Sequence, residues 1–211
     1  MFTLLKRKPK VFCVGFNKTG TTSLTQTLKE LGYHVGKQST AEDLLYDWAK
    51  RDFKSIIAYC RTGNAFQDIP FSLPYTYQAL DAAFPNSRFI LTVRNSSDAW
   101  FNSLQQFHQK LFNEGNPLEE QHLANATYRH KGWMLDFMRF VFDYPNTPLY
   151  DKETYIKVYE RHNAVIIDYF KNRPNDLLVL NLSEADAYNK FRVFLGLPPN
   201  NGSFPWLLKN Q

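Results

Sequence analysis

The chain has 211 residues, a length typical of one domain, and its 44 % hydrophobic and 21 % charged content predicts a globular protein with a packed core. Its net charge of +5 includes no run of five or more basic residues. The densest basic stretch, "KRKPK" at Lys6 to Lys10, is typical of a solvated tail. We therefore expect one domain over residues 1–211 and no nucleic-acid partner, while a small polyanionic ligand would suit the charge.

The cysteines and histidines predict neither a disulfide framework nor a metal site. Cys13 and Cys60 are the only two cysteines, and none of the five histidines has metal-ligand spacing on a helix. No stretch approaches the ~20 apolar residues of a membrane span, and the first ten residues lack the apolar run of a signal peptide. We expect a cytoplasmic protein without a membrane span.

The first half of the chain alternates short apolar runs with helical spacing. "KVFCVG" predicts a buried strand, and leucines at helical spacing predict a helix that ends near Gly32. Thr40 with Asp43 resembles a capping box that starts a helix reaching about residue 50. A short helix is predicted over 53–59, and "NAFQDIP" predicts a brief strand stopped by Pro70, before another helix.

The second half continues the same alternation. "SRFILTVR" is the clearest strand, "DAWFNSLQQFHQKLF" resumes helical spacing, and a long helix is predicted over 152–171. "LLVLNL" predicts a last strand and "EADAYNKFRVFLG" a last helix. Strands alternating with helices predict an α/β fold with a parallel sheet covered on both faces. The strandless stretch over roughly 105–170 is expected to form a helical cap.

The loop between the first strand and helix has the glycine spacing of a nucleotide-binding loop. Gly15 and Gly20 are separated by four residues, as in G-x-x-x-x-G-K-[ST]. Thr21 replaces the usual lysine, and Lys18 lies within the loop instead. Backbone N–H groups at the helix N-terminus still predict an anion site, but the usual Mg–triphosphate arrangement is not expected.

A second anion-binding group follows the clearest strand. P-loop NTPases often place a magnesium-binding Asp after such a strand, whereas "FILTVR" ends in Arg94. An arginine at the carboxyl edge of a parallel sheet is well placed for a bound phosphate.

These two motifs resemble those of the PAPS-dependent sulfotransferases, which use 3′-phosphoadenosine 5′-phosphosulfate (PAPS). The first motif is "NKTGTTS", the second is "TVRNSSDAWFNSL", and "LLVLNLSEADAYNKFRVFLGLP" is similar to a single-domain branch of the family. The stretch from about 105 to 150 lies outside the resemblance. The resemblance implies a P-loop-like fold, PAPS as co-substrate, adenosine 3′,5′-bisphosphate as product, and no required metal.

The resemblance also implies roles for single residues. Lys18 would stabilise the leaving 5′-phosphate oxygen, and Arg94 with Ser103 would hold the 3′-phosphate. The family's serine usually lies eight positions after the arginine, where this chain has Asn102, so both Asn102 and Ser103 are candidates and we favour Ser103. The remaining donor-binding residues come from the loop and the start of its helix: Thr19, Gly20, Thr21, Thr22 and Ser23.

The general base and the acceptor are less constrained by the sequence. Asp68 in "FQDIP" is the favoured base, His34 is the alternative, and Asp68 is equally suited to capping the turn before Pro70. A stripe of aromatic residues at helical spacing in the cap either packs in the core or lines a pocket for a small-molecule or glycan acceptor with a hydroxyl or amine: Phe107, Trp133, Phe137 and Tyr144. A P-loop small-molecule kinase and an inactive nucleotide-binding module are the competing interpretations.

Overall fold

The protein folds around a four-stranded parallel sheet. The structure, a computed structural model, describes residues 8–205 and Leu207. The strands lie in the order β2–β1–β3–β4 and are all parallel. Their bounds are β1 (Val11–Cys13), β2 (Ala65–Phe66), β3 (Arg88–Thr92) and β4 (Leu177–Leu180). Each connection between them contains helix, as parallel neighbours require.

The helices occupy the connections that the sequence pattern indicated. Within residues 8–205 they are α1 (Thr21–Glu30), α2 (Gln38–Glu42), α3 (Leu45–Ala49), α4 (Lys54–Tyr59), α5 (Thr76–Ala83), α6 (Ser97–Asn113), α7 (Glu120–Asn125), α8 (Trp133–Phe142), α9 (Lys152–Phe170) and α10 (Ala187–Phe194). None of the described helices is both long and apolar enough to cross a bilayer.

Alternate side chains of the strands enter two separate cores. Phe12 and Phe89 face a large cluster formed with residues of α2 to α9, whereas Val11 and Ile90 face a smaller cluster with α1 and α10. All four side chains are fully buried, and burial of each contributes about 1.5–3 kcal/mol. The predicted α/β sheet with helices on both faces is therefore confirmed.

The helix start predicted from the Thr40 capping box is wrong. Helix α2 starts at Gln38 after Lys37, no side chain of the described residues caps it, and Thr40 lies within it. The chain then breaks at Leu44, whose N–H donates to the carbonyl of Ala41 three residues earlier. This break lets α3 start anew and bury Leu45 and Trp48, so packing outweighs the local capping preference.

Helices α6 to α9 fill the connection between β3 and β4. Ser96 caps α6 by accepting a hydrogen bond from the Ala99 N–H at 3.1 Å. The rings of Phe142 on α8 and Tyr155 on α9 stack with centroids 3.8 Å apart. The division of the whole chain into a single domain stays a prediction.

Candidate functional site

The glycine-bounded loop follows β1 directly and lies against the end of β3. A Cβ atom at Gly15 would stand 2.3 Å from the carbonyl oxygen of Thr92, far closer than any side chain allows. Thr19 ties the loop to the same residue, because its hydroxyl lies 2.6 Å from the Thr92 hydroxyl. Gly15 is therefore required by close approach of two strands, and the loop is fixed to the carboxyl edge of the sheet.

Two residues of the loop have left-handed backbone conformations. Lys18 has φ of 66° and Gly20, which precedes α1, has φ of 97°. A Cβ atom at Gly20 would also lie 2.8 Å from the Leu182 side chain. No side chain among the described residues caps α1. The N–H groups of its first turn, at Thr21 to Ser23, therefore have no capping side chain among the described residues, as an open anion site requires.

Arg94 connects the loop with α6. Its Nε donates to the Lys18 carbonyl at 2.5 Å and its Nη2 donates to the Ser103 hydroxyl at 3.2 Å. Its own backbone N–H donates to the Tyr159 hydroxyl at 3.1 Å. Ser103 is buried, whereas Asn102 is exposed. Of the two candidates, Ser103 is therefore the one that lies beside Arg94.

The loop opens into a cavity of about 260 Å³, here called the central cavity. It is lined by Lys18, the start of α1, Asp68 and aromatic residues of α6 and α8. The Lys18 ammonium lies 3.8 Å from the centre of the Phe107 ring. Burial, and then the nearby Arg94 charge, lower the pKa of Lys18.

Asp68 lies in the same cavity, just after β2. Its φ of 61° is one that Asp tolerates better than most residues. Its Oδ1 accepts a hydrogen bond from the Ile69 N–H at 3.0 Å, so the carboxyl group does brace its turn. Desolvation, and then the Glu42 charge, raise the pKa of Asp68 to about 7, with Lys18 acting in the opposite direction. A carboxyl group with this pKa is suited to proton transfer near neutral pH.

His34 does not reach this cavity. It is exposed and precedes Val35, which bridges to Ala65 at the beginning of β2. Because the strands are parallel, this position lies at the amino edge of the sheet, away from Asp68. The geometry favours Asp68 over His34 as the candidate base.

Three of the four predicted cap aromatics line the central cavity, namely Phe107, Trp133 and Phe137. The prediction for Tyr144 is wrong, because it lies beyond the end of α8, where its hydroxyl donates to Glu120 at 2.7 Å. The sequence interpretation missed several further lining residues: Gln38, Glu42, Gln67, His108, Leu111, Phe112, Tyr128 and Met134. Helical spacing placed Leu111 on the same face of its helix as Phe107. Nothing local in the sequence distinguishes the other seven from core or surface residues.

Two buried histidines support the site from α6 and α9. His108 lines the central cavity, and its Nδ1 lies 2.9 Å from the Tyr150 hydroxyl. His162 Nε2 donates to the Val14 carbonyl at 2.8 Å, immediately before the loop. Burial lowers the pKa of His108 to about 3 and that of His162 to about 4, so both rings are neutral at pH 7.

A second cavity of about 500 Å³, the adjacent cavity, shares Gly20 and Arg94 with the central cavity. Asn95, Asn181 and Ser183 are among its polar residues. Leu207 of the C-terminal tail lines both cavities, and its N–H donates to the Ser23 hydroxyl at 3.4 Å. Arg94 is thus shared by two cavities, which meet at the loop.

The fold and this loop define the class to which the protein belongs. The sequence matches the model of a family described as the sulfotransferase domain over residues 10–211. Because the match covers nearly the whole chain, the protein belongs to this sulfotransferase family and is a transferase. A search of curated proteins gives no significant match. Within residues 8–205 and Leu207, no three His, Cys, Asp or Glu side chains are grouped as metal ligands.

Proposed function

We propose that the protein transfers the sulfuryl group of PAPS to the hydroxyl of a small acceptor. The observation that carries this proposal is the position of Arg94, which joins the phosphate-type loop to Ser103 and faces both cavities. The donor has two separate phosphate positions, and the site offers a separate set of donors for each.

The donor fits the residues present. The 5′-phosphate would accept hydrogen bonds from the N–H groups of Gly20, Thr21 and Thr22, with hydroxyls of Thr21, Thr22 and Ser23 nearby. The predicted role of Thr19 becomes holding the loop, because its hydroxyl is hydrogen-bonded to Phe16 and Thr92. Arg94 and Ser103 would hold the 3′-phosphate, since a guanidinium with a hydroxyl is a strong phosphate site. The adjacent cavity, at about 500 Å³, has room for a nucleoside.

The chemistry then needs a base for the acceptor hydroxyl and a positive charge that stabilises the leaving oxygen. Asp68 accepts the proton of the acceptor hydroxyl, the acceptor oxygen attacks sulfur, and the bond from sulfur to the 5′-phosphate oxygen breaks. Lys18 stabilises the negative charge on that oxygen, and this interaction is strongest in the transition state. Asp68 and Lys18 line one cavity and interact electrostatically, as this division of roles requires.

Thermal unfolding with three nucleotides tests the donor. Adenosine 3′,5′-bisphosphate in EDTA should raise the unfolding temperature, because ~100 times the Kd adds ~2.7 kcal/mol. Adenosine 5′-monophosphate should stabilise much less, because it lacks the 3′-phosphate. Equal stabilisation by the monophosphate would contradict a 3′-phosphate site, and stabilisation by ATP only with Mg²⁺ would indicate a kinase.

A further inference from the structure

The central cavity contains an aromatic wall that the transfer chemistry does not use. Phe112, Tyr128, Trp133 and Phe137 all line it. Successive ring centroids along this wall lie 6.2, 5.5 and 5.9 Å apart, so the rings form one continuous surface. Such a surface favours a flat apolar body, and a cavity of about 260 Å³ limits that body to a small molecule.

A buried carboxyl group lies beside this wall. Glu42 is only 5 % exposed, and its Oε1 accepts a hydrogen bond from the Tyr128 hydroxyl at 3.0 Å. Its Oε2 lies 3.6 Å from the Arg129 guanidinium, which is shared with Asp43 at 3.4 Å. One guanidinium therefore faces two carboxyl groups, and Asp68 is a further acid of the cavity lining. Burial raises the pKa of Glu42, because removal from water disfavours the charged carboxylate.

A hydrogen-bond acceptor in the same lining lacks a partner. Gln67 Nε2 donates to Gln38 Oε1 at 3.2 Å. Gln67 Oε1 is buried, and no described residue donates to it. A buried carbonyl oxygen of this kind costs free energy until an N–H or O–H reaches it. The lining thus combines aromatic faces, a buried carboxyl group and an acceptor without a partner, while its two basic residues, Lys18 and Arg94, are the ones assigned to the donor.

From this combination we infer that the acceptor is a small aromatic alcohol that carries a protonated amine. Its ring lies against Tyr128 and Trp133, and its ammonium group lies near Glu42 and Gln67. Aromatic faces beside a carboxylate attract a cation, and an N–H of the ammonium group satisfies Gln67 Oε1. The hydroxyl group at the other end meets Asp68. This inference rests on the proposed function, because it takes the central cavity as the acceptor site.

Calorimetric titration with matched ligands tests the inference. The protein, with and without saturating adenosine 3′,5′-bisphosphate, is titrated with 4-(2-aminoethyl)phenol, 4-ethylphenol, 3-(4-hydroxyphenyl)propionate and 2-aminoethanol. The aminophenol should bind about tenfold or more tightly than the neutral phenol, because a charged hydrogen bond is added. The propionate should bind more weakly than the neutral phenol, and aminoethanol should not bind measurably.

Variants then assign the preference to its residues. Glu42→Gln keeps the size of the side chain and should reduce the preference for the amine to about twofold or less. Gln67→Leu is a second variant and should weaken binding of the aminophenol more than binding of the neutral phenol. Asp43→Asn is the matched control, since Asp43 shares Arg129 but does not line the cavity, and it should keep the preference.

The inference is overturned if no phenol binds or if the neutral phenol binds as tightly as the aminophenol. It is also overturned if aminoethanol binds with the same affinity as the aminophenol. A third contrary result would be an unchanged ranking of ligand affinities in Glu42→Gln and Gln67→Leu, once thermal unfolding has shown that both variants are folded. Failure of the bisphosphate to bind counts against the proposed donor instead. The ranking measured without the bisphosphate still tests the acceptor inference separately.

Discussion

Ionisation of Asp68 should control the pH dependence of the reaction. Desolvation and the Glu42 charge raise the pKa of this carboxyl group from 3.8 to about 7. Only the ionised form accepts a proton, so kcat/KM should rise about tenfold from pH 6 to pH 8 and level off above that. The assay is transfer of radiolabelled sulfuryl from PAPS to 4-ethylphenol, with donor saturating at each pH.

Two variants separate this explanation from a general effect of pH. Asp68→Asn still braces the turn but cannot take a proton, and it should lose ~10²–10⁴-fold in rate. Glu42→Gln removes the neighbouring charge and should move the rising part of the kcat/KM profile to lower pH. The reasoning is refuted by a flat profile in the unmodified protein, by a near-normal rate in Asp68→Asn, or by an alkaline shift in Glu42→Gln.

Three further predictions concern the loop, the phosphate site and stability. Lys18→Ala should lower kcat more than donor affinity, as single-turnover rates and calorimetry would show; normal kcat with weaker binding would remove Lys18 from catalysis. In calorimetry, Arg94→Ala should weaken the binding of adenosine 3′,5′-bisphosphate far more than the binding of the 5′-monophosphate. Equal losses of affinity would mean that Arg94 only supports the fold. His108 and His162 have folded-state pKa values below the ordinary 6.5, so their stabilising contribution is complete above pH 6.5 and falls as acid protonates the unfolded chain. The urea midpoint should therefore be lower at pH 5 than at pH 7.5, and the fall should be smaller in His108→Gln; an equal fall would contradict this role for His108.

The strands and most helices follow from local patterns in the sequence. Short apolar runs before glycine or polar residues predicted the regions of β1 and β3, and Gly32 does end α1 with φ of 74°. The pairing of Arg94 with the loop was also predictable, because both motifs follow strands of a parallel sheet. Where a capping signal competed with burial, as at Thr40, burial determined the start of the helix.

The central cavity was less predictable because its lining comes from distant parts of the chain. Glu42 and Tyr128 meet across 86 residues, and neither has a local pattern that distinguishes it from a surface residue. Tyr144 was predicted to line the cavity as part of an aromatic stripe at helical spacing, but α8 ends just before it. Asp68 was predicted as a base from its place after a short strand and from the resemblance. Its raised pKa depends first on burial and then on the Glu42 charge, which the sequence did not connect with it.

Transfer of the sulfuryl group itself tests the central claim most directly. The protein is incubated in EDTA with PAPS carrying a radiolabelled sulfuryl group and a mixture of phenolic amines, neutral phenols, aliphatic alcohols and monosaccharides. We predict a labelled organic sulfate and an equal amount of adenosine 3′,5′-bisphosphate, both strongly reduced in Lys18→Ala and Asp68→Asn. Tight binding of the bisphosphate with no labelled product from any acceptor would contradict the account and indicate an inactive nucleotide-binding protein.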